Sequence, residues 1–169
     1  LNFSDLFEIR DSVLFRKPQP QQSNWWNAKY AGRPAGEICV PKGSRTKYVR
    51  IEINGKKYKA HQIIWEMHHG APPPGKYIDH IDGNGLNNHI SNLRLVTHQE
   101  NMKNRPRPQN NTSGIVGVLW NKAEEKWQAY INFEGKQHHL GSFGGIFEAA
   151  CARKSAELRH GFHFNHGRR

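Results

Sequence analysis

Asp79 and His80 are neighbours in YIDHIDGNGLNNHISNLRLVTHQEN, residues 77–101, a stretch that also carries asparagine at 84, 87, 88, 92 and 101. Asparagine is rarely buried in cores, so this density marks turns or a polar site. A hard divalent cation such as Mg2+ takes oxygen ligands and keeps several waters. Asp79 offers a carboxylate, and an asparagine side chain offers a second oxygen. Phosphodiester hydrolysis also needs a base to take a proton from water, and the His80 imidazole titrates in the right range. A third group must hold the ring so that one nitrogen stays free to accept; an asparagine oxygen can do this. The obstacle is geometric. Neighbours on a regular strand point to opposite faces, so Asp79 and His80 converge only if the strand twists or bulges.

The elements that must carry these residues can be read from the surrounding pattern. Residues 77–81 suit a strand, 82–85 (DGNG) a turn, and 93–96 a second strand. Thr97 and Glu100 have capping-box spacing, which predicts a short helix over 98–104, ended by Arg105-Pro106. Upstream, Val49, Ile51 and Ile53 alternate with Arg50 and Glu52, and Asn54-Gly55 predicts a tight hairpin. AHQIIWEMHHG then reads as a helix with Ile63, Ile64 and Met67 on one stripe and Gly70 at its end. Residues 13–16 are strand-like, and KPQPQQSN breaks the pattern after them.

The blocks DHIDGN, LNNHISNLRLVT and QENMKN closely resemble HNH homing endonucleases of the Asp-His…Asn…Asn type, found in phages and mobile introns. The resemblance implies a ββα-metal fold with His80 as general base and Asn92 as the residue that positions it. It also implies Asp79 and Asn101 as ligands of one Mg2+ (or Mn2+), and products with 5′-phosphate and 3′-hydroxyl ends. Asn104 is a secondary candidate near the metal. Asn84, Asn87 and Asn88 read as turn and loop residues, with DNA contact as the alternative. The upstream INGKKYKAHQIIWEMHHG resembles the leader of the same phage family. There Lys56, Lys57 and Lys59 either contact phosphates or keep an edge strand soluble. Trp25 and Trp26 fit intercalation, stacking and packing equally well.

Beyond RPRPQNNTSG, a polar linker, strand-like runs at 115–120, 127–133 and 137–143 precede a helix over 146–160. Trp127, Ala129 and Ile131 should face that helix, which leaves Gln128, Tyr130 and Asn132, with Gln137 and His139 of the next strand, on the open face. Lys122 and Lys126 are expected phosphate contacts. Gly117-Val118, KWQAYI, LGSF and the Ala-rich helix resemble the plant ethylene-response-factor (Apetala-type) DNA-binding domain, which lays its sheet in the major groove. The arginines of the plant sheet are largely absent here, so the plant target sequence does not transfer. Trp120 suits either the core or the DNA face, with the core slightly ahead.

Charge agrees with a polyanionic partner. Of the net +11, residues 1–60 carry +7, residues 61–104 carry −1 and residues 105–169 carry +5, so a near-neutral centre lies between two basic flanks. Cys39 and Cys151 are the only cysteines and form no CxxC pair. A disulfide framework is therefore not expected, and a reducing cytoplasm, of a bacterial host or phage-infected cell, is. No apolar run approaches the length of a membrane span.

These readings define an α+β chain. Residues 1–59 form a basic β-rich DNA-binding part, 60–104 the nuclease module, 105–113 a linker, and 114–169 a three-stranded antiparallel sheet plus one helix. The expected function is metal-dependent, sequence-specific cleavage of double-stranded DNA, with no membrane and no small organic cofactor. A monomer is expected, with a dimer open. The competing reading is a DNA-binding regulator with the same fold and no activity. RNA binding is weaker, because no aromatic pair of the RNP type is present.

Overall fold

The computed structural model describes residues 1–42 and 46–168. It is a mixed α+β chain of small antiparallel sheets and short helices in two compact units, Leu1–His98 and Gln99–Arg169.

The first unit opens with α1 (Phe3–Leu6) and a hairpin of β1 (Phe7–Arg10) and β2 (Val13–Arg16). Helix α2 (Asn24–Tyr30) follows, started by Ser23, whose Oγ accepts from the Trp26 amide at 3.1 Å. A three-stranded sheet orders β3 (Glu37–Cys39), β4 (Tyr48–Ile53) and β5 (Lys56–Lys59). Asn54 and Gly55 join β4 to β5 with φ of 49° and 74°, the twist-matched turn that their types predict. Helix α3 (Ala60–His69) runs on directly, and Gln62 Oε1 accepts from the Lys59 amide at its start. Finally β6 (Lys76–His80) pairs with β7 (Leu93–Thr97) across a loop that includes a 3-10 turn, Ile90–Asn92.

One apolar cluster joins these elements. Phe7 and Leu14 of the first hairpin, Ile51 of β4, Ile63 and Ile64 of α3 and Leu93 of β7 are all buried in it. The N-terminal part and the nuclease hairpin therefore share a core, and no boundary falls between residues 59 and 60.

In the second unit, α4 (His98–Lys103) leads from the boundary into β8 (Val118–Asn121), β9 (Lys126–Phe133) and β10 (Lys136–Phe143), with β9 central, and α5 (Ile146–Arg159) follows. Val118, Ala129 and Ala149 are buried between sheet and helix, with Trp127, Leu140 and Phe143 around them. Small residues on α5 permit that close approach. The stretch expected to be a free linker is tied down at its start. The Gly167 amide donates to Arg105 O, the Arg107 amide to Arg168 O, and the His163 amide to Lys103 O, each within 3.2 Å. These bonds draw residues 103–107 into the second unit, so the boundary lies after His98 and not at 104/105. Among the described residues, no helix is long and apolar enough to cross a membrane.

Candidate active site

β6 and β7 pair in an unbroken register, Asp79 opposite Arg94 and His80 opposite Leu93. No bulge intervenes, so the two side chains leave opposite faces of the ribbon. On one face, Asp79 Oδ2 accepts from Arg94 Nη2 at 3.1 Å and Nε at 3.3 Å. The Asp79 side chain is only 12% exposed, so this pair fixes the carboxylate.

On the other face His80 is buried, with its Nε2 3.1 Å from Asn88 Oδ1. A carbonyl oxygen only accepts, so Nε2 carries the proton and Nδ1 is the basic nitrogen. His61, from the first turn of α3, meets the His80 ring edge-on with centroids 4.6 Å apart, and Tyr48 lies 6.1 Å away. Burial pushes the His80 imidazole below its ordinary value, against the opposing hydrogen bond from Asn88. Burial, reinforced by His80 and Lys59, lowers His61 to about 3. Both rings are therefore neutral at pH 7.

The loop that delivers Asn88 is organised by Asp82. Desolvation opposes ionisation there, but hydrogen bonds from the Asn87 side chain, the Asn84 backbone and the Asn92 side chain more than offset it and hold the carboxyl below the usual range. Asn92 clamps the loop from its far end. Its Nδ2 donates to Asp82 Oδ1 at 3.0 Å and to Asn87 O at 2.8 Å, and its Oδ1 accepts from the Asp82 amide at 3.1 Å. The Asn88 oxygen meets the imidazole, while Asn92 fixes the loop one residue before it. Gly85 seats this loop: a β-carbon there would lie 2.3 Å from Lys47 O and 2.6 Å from the Tyr48 ring.

Asn101 lies on α4, half-buried, in the second unit; Asn104, one residue past α4, is buried and accepts from Arg168 Nη1. Lys56 and Lys57 are exposed on β5, whereas Lys59 Nζ sits 4.4 Å over the Tyr48 ring. In the C-terminal sheet, register pairs Tyr130 with His139, Asn132 with Gln137 and Gln128 with Ser142, so these residues share the face away from the buried Ala129 and Ile131. Gln128 on that face is 8% exposed, because its amide donates to Glu124 Oε2 and accepts from the Tyr130 hydroxyl. Lys122 and Lys126 flank the β8–β9 turn, both exposed. Trp120 stands opposite Trp127 yet is 43% exposed.

Among the described residues, no group of three or more His, Cys, Asp or Glu could hold a metal. The oxygen chemistry of Asp79 with an asparagine amide nevertheless fits a hard cation that keeps most of its water. Asn88, His61, Asp82 and Arg94 escaped the sequence reading of the site. Asn88 was one member of an asparagine run, and His61 reaches His80 only through the packing of α3.

The ββα order, with Asp79 and His80 at the end of its first strand, defines a class. Residues 58–103 match the family model described as HNH endonuclease. The chain belongs to the HNH endonuclease family, whose fold is the mixed α+β arrangement seen here. It is 48% identical over 88 residues to Protein 3.8 of Escherichia phage T7, covering 50% of this chain and 73% of that protein. It is 26% identical over 122 residues to YosQ of Bacillus subtilis (strain 168), a prophage protein provisionally named an HNH homing endonuclease, covering 62% of this chain and 70% of YosQ. The uncharacterized HNH endonuclease L560 of Acanthamoeba polyphaga mimivirus is 34% identical over 85 residues, 50% of this chain and 43% of its own length. No solved structure matches the chain. Family membership implies a nuclease, and HNH nucleases typically use a divalent metal.

Proposed function

We propose that the protein is a sequence-specific, homing-type endonuclease that hydrolyses phosphodiester bonds of duplex DNA with one divalent metal, Mg2+ or Mn2+. The observation that carries this reading is the buried His80 ring with its Nε2 3.1 Å from Asn88 Oδ1, a contact that favours the tautomer with Nδ1 as the basic nitrogen. In this mechanism Nδ1 takes a proton from a water whose oxygen attacks phosphorus. The P–O3′ bond breaks, the leaving oxygen is protonated, and a 5′-phosphate and a 3′-hydroxyl result. The family motif implies Asp79 and Asn101 as ligands of a cation that would stabilise the charge on the pentacoordinate phosphorus and the leaving oxygen. This requires the Asp79–His80 end of β6 to depart from the regular register that sends the two side chains to opposite faces. Arg94 orients Asp79, and Asn92 acts on His80 through the loop.

DNA is held by the basic flanks in this reading: Lys56, Lys57 and Lys59 in the first unit, and Lys122, Lys126, Gln128, Tyr130, Asn132, Gln137 and His139 in the second. The register that gathers the last five on one face supports the second set. Supercoiled plasmid with Mg2+ or Mn2+ tests the activity. Cleavage should stop with EDTA and fall by orders of magnitude in His80→Ala, which should still bind DNA. Normal cutting by that variant removes His80 from the base role; binding without cutting by the wild type, at any metal concentration, favours the inactive regulator.

A further inference from the structure

Helix α2 carries Trp25, Trp26 and Tyr30 and contributes no buried residue to the core. Trp25 is 66% exposed, a large apolar surface that folding does nothing to hide. These rings line an open cleft of about 550 Å3 in the first unit, together with Arg16 and with Glu52 at the end of β4. That volume lies in the range of small-ligand sites.

Cations hold the rings in place. Lys29 Nζ sits 4.7 Å from the Trp25 centroid and 5.1 Å from that of Tyr30, and the Arg16 guanidinium lies 6.0 Å from Trp26 and 5.9 Å from Tyr30. Neither cation makes an ion pair among the described residues, unlike Arg10 with Glu8 or Arg50 with Glu37. An exposed indole, with a half-buried one next to it and unpaired positive charge beside them, suits a ligand that is flat and apolar at one end and anionic at the other. An unpaired nucleotide has that form; the phosphates of a closed duplex need charge but no concave aromatic wall. Glu52 orients the fit, since a carboxylate repels phosphate and accepts from a base amine.

We propose that this cleft binds an unpaired nucleobase of the DNA, stacked on Trp25 with its phosphate at Arg16 and Lys29. The nuclease reading enters only in naming DNA as the polymer. The site is remote in sequence from the 79–101 stretch, and it gives the enzyme a grip on strand ends, bubbles or bases splayed from the duplex.

The test uses the full chain carrying His80→Ala, in EDTA, titrated with a short oligo-dC strand, whose base amine can meet Glu52, while indole fluorescence is followed. Quenching is expected, with affinity falling about ten-fold or more in Trp25→Ala and largely restored in Trp25→Phe, because stacking needs a ring. Arg16→Gln should weaken binding and flatten its salt dependence. Equal affinity in Trp25→Ala, or no binding by the parent, overturns the proposal, as does equally strong competition by polyglutamate. Plasmid cleavage by the wild type, measured in parallel, keeps the two readings separate. Cleavage without Trp25-dependent binding sinks the cleft alone; Trp25-dependent binding without cleavage sinks the nuclease and leaves the cleft.

Discussion

Asn88 Oδ1 lies 3.1 Å from His80 Nε2, and both residues are buried. The contact selects one tautomer of the ring and is made by a residue that Asp82 and Asn92 hold through the loop.

Asn88→Ala should therefore lower the cleavage rate by about ten-fold or more, a part of the roughly 10²–10⁴-fold that a positioned general base contributes. Asn88→Asp should retain more activity and move the acid limb of the pH profile upward, since a carboxylate favours the protonated ring. Single-turnover rates against pH separate this from a loss of folding, which would leave the profile's midpoint unmoved. An Asn88→Ala enzyme as fast as wild type would remove the residue from the mechanism.

The rate should rise with pH through the ionisation of His80 and then level off. Burial lowers that ionisation below the ordinary 6.5, so the basic form predominates already at neutral pH. A metal-saturated pH–rate profile should show its acid midpoint below 6.5. A midpoint above 7 would contradict the burial of the base.

Stability carries its own pH dependence. His61 in the first unit and His166 in the second are pushed by burial to about 3 and about 4. Between those values and 6.5 the unfolded chain binds more protons than the folded one. The stability is complete above 6.5 and drains away as pH falls toward 4 and then 3, with a slope of up to about 1.4 kcal/mol per pH unit for each histidine. Thermal melts from pH 7 to pH 4 should show this decline, and His61→Phe should flatten it for the first unit. A melting temperature constant across that window would count against both assignments.

Gly85→Ala should cost about 1–3 kcal/mol, because the added carbon meets the backbone oxygen of Lys47, which cannot swing aside as a side chain can. The loop must shift, so cleavage should fall together with the melting temperature. Unchanged melting would show that the loop has room to spare.

Much of this architecture can be read from local chemistry. Asn54-Gly55 demands its hairpin, Gly70 closes α3 with φ of 79°, and the alternation through Trp127, Ala129 and Ile131 gives the helix-facing side of β9. Asp79 and His80 announce themselves by adjacency. What stays hidden is tertiary. Helix α2 has a Ser23 cap but three aromatic residues and no apolar stripe, so periodicity does not reveal it. Asn88 is indistinguishable from its neighbours until the loop folds and brings it to the ring. Gln128 reads as an open-face residue, yet Glu124 and Tyr130 enclose it in a polar network that only the folded sheet creates.

The backbone bonds between residues 103–107 and 163–168 have a consequence for biosynthesis. Arg168 reaches back 64 positions to Asn104. Helix α4, with Asn101 on it, gains these tertiary partners only after the whole sheet and α5 have left the ribosome. A nascent chain stalled before that point holds His80 and Asp79 but has not anchored the segment bearing Asn101, so translation itself sets the order in which the parts of this nuclease become available.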